Sequence, residues 1–153
     1  MNDRRKELRE LSGGHERDVR RVWYDLRGQD LDPAEIGALA GIRADKSWRA
    51  GDLRPGTGLP RAEGAWILFS GLGDGDEVHD HLDALLARMR PAWAAFVQLG
   101  RRHDAGIGVA IHCLEAQGPM VEVLPDVSAA LAELNASLGF DLYALPENDA
   151  SGP

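Results

Sequence analysis

Between Asp18 and Arg27 the chain alternates, with Val22, Tyr24 and Leu26 on one side and Val19, Arg21, Trp23 and Asp25 on the other. A period of two predicts a strand with one apolar and one half-polar face. The next stretch, LDPAEIGALAG, carries helix-start chemistry: Asp32 as N-cap, Pro33 as first helical residue, Glu35 as capping-box partner, and Leu31 with Ile36 as a hydrophobic staple. Gly41 supplies a stop, so a short helix is expected over 33–40.

AWILFS, residues 65–70, is an apolar run too short for a helix and rich in β-formers, which predicts a central strand. Val78, Leu82, Leu85, Leu86 and Met89 then recur at helical spacing, with acids at the start and arginines at the end. Pro91 either kinks this helix or opens a second one carrying Trp93, Phe96, Val97 and Leu99. Ile107, Val109, Ile111 and Cys113 alternate with Gly108, Ala110, His112 and Leu114, the pattern of a strand whose second face packs closely. A VEV piece at 121–123 is expected to add a short edge strand. Val127, Leu131 and Leu134 mark another helix, although Leu124 stands where a polar cap often precedes Pro125. Leu138, Phe140 and Leu142 alternate with Gly139, Asp141 and Tyr143 in a last strand.

Two βαβ halves joined by helices predict an α+β domain: a mixed or antiparallel sheet of about four to five strands, with helices packed mainly on one face, as a ferredoxin-like variant. Residues 1–17 read as a flexible arm or short helix, 18–145 as the single domain and 146–153 as a flexible tail. A chain of 153 residues can bury a core without disulfides or a structural metal.

Charge changes the picture. The formal net charge of −8 disfavours phosphate-backbone binding, so no nucleic acid is expected as a partner. The average hides an asymmetry, because residues 43–61 hold five basic against two acidic residues and residues 62–153 hold four against fourteen. Cys113 is the single cysteine, so no internal disulfide forms and paired-cysteine zinc spacings are absent. No segment approaches the ~18 apolar residues of a membrane span. The expectation is a cytoplasmic protein without membrane association, metal or cofactor.

Within the basic stretch, Trp48, Arg49, Asp52, Arg54, Arg61 and Trp66 are the candidate binding residues. Two indoles beside guanidinium groups can hold an anionic or aromatic ligand by stacking and arginine forks. The competing structural role is that Trp48 and Trp66 pin the loop to the sheet while Asp52 caps backbone amides. PGTG, residues 55–58, lacks the Gly-Lys pair of a phosphate loop, and GLGDGD lacks the third glycine of a dinucleotide fingerprint. His79 and His81, two apart on a helix, are turned about 200° from each other and do not clasp one ion; they are expected on the surface or helix flank. His112 and Cys113 face opposite sides of a strand, which leaves Cys113 as a core thiol. No catalytic residue is assigned.

The segments LDPAEIGALAGI, SWRAGD, GAWILFS, HLDALLARMRPAW and LNASLGFDLY, in that order, resemble the bacterial domain-of-unknown-function family 4279. Its most specific marks here are Trp48 to Asp52, as Trp-x-x-Gly-Asp, and the strand with Trp66. The resemblance implies a small bacterial α+β domain and carries no catalytic residue across. The functional expectation is a non-catalytic protein-binding module, immunity- or antitoxin-like, with a protein partner such as a toxin. The alternative is a small anionic-ligand sensor or enzyme using Trp48, Arg49, Arg54 and Trp66. Self-association into a homodimer through an exposed strand edge is a third outcome.

Overall fold

The computed structural model describes residues 19–113 and 120–144. The arm expected over 1–17 and the tail expected over 146–153 lie outside them, as does Leu114. The alternating first segment forms β1, Val19–Gly28. The capped segment forms α1, Pro33–Ala40, where the Asp32 carboxylate accepts from the Ala34 N–H and Gly41 closes the helix at φ 65°. Leu31 and Ile36 are both buried, as a staple requires. Glu35 does not complete a capping box; it turns to Arg102, 3.1 Å away.

A three-residue strand, β2 (Lys46–Trp48), precedes β3 (Gly64–Phe69). The long helical segment divides at Pro91: α2 (Val78–Met89) passes through a 3-10 turn, Arg90–Ala92, into α3 (Trp93–Arg102). Pro91 sits within that 3-10 turn and breaks the helical segment in two, and α3 itself begins at Trp93 behind Ala92. Then come β4 (Asp104–Cys113), α4 (Pro125–Leu134) and β5 (Ala136–Ala144). Pro125 is the first residue of α4, where a missing N–H costs nothing. The expected VEV strand does not form, because Val121 and Val123 pack against the core as irregular backbone.

The sheet runs β2-β3-β1-β4-β5. β1 is antiparallel to β3 and β4, β2 is antiparallel to β3, and β4 and β5 are parallel. The first four strands therefore follow the ferredoxin-like order, with β5 added through the α4 crossover. One face carries Val22, Tyr24, Leu26, Trp66, Leu68, Ile107, Val109 and Ile111 into the core, against Ile36, Leu82, Leu85, Met89, Phe96, Leu99, Val127 and Leu134 of the helices. Tyr24 meets Phe96 edge-on at 5.4 Å. The described helices all pack on this face.

Candidate functional site

Sheet register decides where the two tryptophans go. Ser47 lies opposite Trp66 and Trp48 opposite Ala65, so the indoles of Trp48 and Trp66 project to opposite faces. Trp66 is 0% exposed and packs on Phe96 with ring centroids 5.9 Å apart. Trp48 is half-buried on the open face, donates its Nε1–H to the Glu63 carbonyl at 3.2 Å, and carries the Arg61 guanidinium over its ring at 3.7 Å. The sheet therefore separates the two rings, and Arg61 joins only the first.

The glycine- and proline-rich stretch folds into a small hairpin. Arg54 N–H donates to the Leu59 carbonyl (2.8 Å), Arg61 N–H to the Asp52 carbonyl (2.8 Å) and Gly51 N–H to the Arg61 carbonyl (2.8 Å). Asp52 Oδ2 accepts from the Arg49 N–H at 2.8 Å, the backbone-capping role open to a turn aspartate. Gly51, Gly56 and Gly58 hold φ between 63° and 87°, values that glycine adopts without strain. Residues 51–60 are all exposed, and Leu53 and Leu59 remain 66% and 60% exposed.

At the hairpin's root, a groove of about 1,390 Å³ runs between α1 and β2. Trp48, Arg49, Asp52, Arg61 and Trp66 all line it, and Arg54 does not. Arg49 is bound to Asp32 at 2.7 Å, at the N-terminus of α1. Its guanidinium is thus shared with a carboxylate before any ligand arrives.

The histidines differ from the surface placement expected for them. His79 and His81 are 4% and 2% exposed. The first turn of α2 is covered on two sides: His79 Nε2 sits 3.0 Å from the Glu122 carbonyl, and His81 Nδ1 sits 2.5 Å from Ser70 Oγ. Ser70 Oγ also accepts from the Leu72 N–H at 3.2 Å. Burial holds the His81 pKa below the usual histidine range, against an upward pull from the Gly73 backbone and from Asp76, Asp74 and Asp80. Ser70 is itself 5% exposed, so the pair ties the β3–α2 turn to the helix rather than presenting a nucleophile. Cys113 is buried in the core, and His112 stacks on Tyr143 across the sheet at 4.6 Å. Among the described residues there is no cluster of three or more metal-ligating side chains, and no helix is long and apolar enough to cross a membrane.

The open face holds what the sequence pattern did not single out. Trp23, Lys46 and Phe69 share one concavity of about 460 Å³ with Arg61, Trp48 and Tyr143. The alternation of β1 placed Trp23 on the polar face, but only the pairing of five strands shows its neighbours.

Comparison with curated proteins found no match, and comparison with solved structures found none either. A family described as "Domain of unknown function (DUF4279)" matches residues 17–145. With that match spanning most of the chain and the five-stranded α+β architecture beneath it, the protein belongs to the DUF4279 family.

Proposed function

We propose that this protein is a protein-binding module without catalytic action, in the manner of an immunity or antitoxin-like factor, and that its 49–61 hairpin is the element placed into the partner. The reading is carried by one observation: a hairpin ordered by its own hydrogen bonds leaves Leu53 and Leu59 more than half exposed. Exposed leucines near the tip of an ordered hairpin are what an interface core uses. Arg54 lies between them, in no ion pair among the described residues, as a ready rim contact for a carboxylate. The acidic remainder of the chain suits a basic partner, such as a nuclease toxin, over the rest of its surface.

Affinity capture from extract of the native cell tests this, comparing wild type with a Leu53→Ser, Leu59→Ser, Arg54→Ala variant. The expected result is near-stoichiometric retention of one protein by wild type and its loss in the variant, with thermal melting unchanged. Equal retention by both, or retention of nothing, overturns the reading.

A further inference from the structure

The sheet face opposite the helices is ordered in rows. One row crosses from Phe69 to Trp23, Gly108 and Gly139; the row beside it runs Lys46, Ile67, Asp25, Gly106 and Ser137. A Cβ built on Gly108 would overlap the Trp23 ring, whereas one built on Gly139 would meet nothing within 4 Å. The Trp23 indole therefore lies flat across β4, where only glycine permits it, beside an open step on β5.

The other rings of this face are differently occupied. Arg61 covers Trp48 at 3.7 Å, and His112 and Tyr143 stack on each other at 4.6 Å. No ring or cation covers Trp23 among the described residues. Its outer surface is a single stacking platform of the kind on which nucleobases rest.

Cations are also sorted on this face. Arg27 is held by Asp25 at 3.0 Å and Arg21 by Asp74 at 3.3 Å. Lys46 and Arg61 are paired with no carboxylate among the described residues, and both line the concavity. Lys46 Nζ leans over Phe69, 5.6 Å from its centroid, and Phe69 is the register partner of Trp23. Lys46 lies two strands from Trp23, about 10 Å across the sheet, a span that a base, its sugar and one phosphate can bridge with the lysine reaching inward. Asp141, the remaining acid of the cavity, is on β5 and so directs an anion toward β2.

We infer that the open sheet face binds a nucleoside monophosphate, its base stacked on Trp23 and its phosphate held between Lys46 and Arg61. The cavity of about 460 Å³ is of small-ligand size. A single strand of nucleic acid fits less well, because it needs successive free platforms and a basic track, while this face offers one platform on a chain of net charge −8. The site is independent of the hairpin tip.

Titration calorimetry of the full chain with each of the four common nucleoside monophosphates tests the inference. At least one should bind with a Kd below about 1 mM. Lys46→Ala with Arg61→Ala should weaken it at least about tenfold. Gly108→Val, which lifts the indole while keeping Trp23, should do the same, and circular dichroism shows that each variant is folded. Adenosine and ribose 5-phosphate, each lacking one half of the ligand, should both bind more weakly than adenosine monophosphate if that is the nucleotide bound. Absence of binding by all four nucleotides overturns the proposal, as does binding that survives the double substitution. Binding of a short oligoadenylate but of no mononucleotide overturns it in favour of a single strand.

Discussion

Two helical glycines predict stability changes of opposite sign under the same substitution. Gly100, in α3, faces the end of α4: an added Cβ would overlap the Leu134 carbonyl oxygen and stand 3.0 Å from its carbonyl carbon. Asn135, at φ 51°, fixes that end by donating from Nδ2 to the Gly100 carbonyl at 3.0 Å. The obstacle is backbone on both sides, so no side chain can swing away. Alanine gains about 1 kcal/mol over glycine in a helix interior, but forced overpacking costs about 1–3 kcal/mol and more where relief requires a helix to move.

Gly100→Ala is therefore expected to destabilise by about 2 kcal/mol or more, with Tm lower by about 4–8 °C for a domain of this size. Gly37, in α1, has only the Ile42 carbonyl oxygen at 3.6 Å from its built Cβ, an ordinary contact. Gly37→Ala should accordingly stabilise by about 0.5–1 kcal/mol. Urea unfolding followed by circular dichroism reads both, with equal m-values required for the comparison. A Gly100→Ala protein as stable as wild type would refute the close packing of α3 on α4.

Tyr24→Phe should leave stability unchanged or raise it by about 1 kcal/mol, because the buried hydroxyl has no hydrogen-bond partner among the described residues; a clear loss in urea unfolding would reveal a partner. Asp32→Ala should cost about 1 kcal/mol through the lost Ala34 cap, with little added by the exposed Arg49 pair; unchanged unfolding would remove Asp32 from the cap. His81 is held below its ordinary pKa by burial, so as pH falls below about 6.5 the unfolded chain takes the proton first and stability declines toward the folded value. His81→Gln should flatten part of that decline below about pH 6.5; an unaltered slope would exclude His81 as its source.

How much of this was legible varied with the range of the interaction. Helix α1 was readable to the residue because Asp32, Pro33 and Gly41 act on backbone within one turn. Strand β2 was not, since three residues have no period and become a strand only by pairing with β3. The same pairing separates Trp48 from Trp66, which are close in the chain and on opposite faces of the sheet. His79 and His81 looked exposed on a helix drawn alone, yet Glu122 and Ser70 close over them from segments 43 and 11 residues away. For Trp23 the alternation fixed the face, while Gly108, 85 positions later by numbering, fixed the ring's attitude.

An anion site on a chain of charge −8 is consistent because charge acts by distance. At physiological ionic strength interactions between exposed charges fade beyond about 8 Å. On the open face Asp25 and Asp74 are already matched by Arg27 and Arg21, whereas the acids opening α2 belong to the helical layer on the sheet's other side. A phosphate between Lys46 and Arg61 meets two cations in contact, while Asp141, on β5 at the far side of the same concavity, and the body's remaining negative charge act through the screened field. Added salt weakens both effects, but the diffuse repulsion fades with the attraction and offsets part of the loss. Nucleotide affinity should therefore fall only shallowly between about 50 and 200 mM salt, unlike the steep loss when many phosphates are neutralised on a basic surface. Calorimetry across that range decides it: a steep loss would mean that the anion is held by long-range charge, and that the two-cation contact is not what selects it.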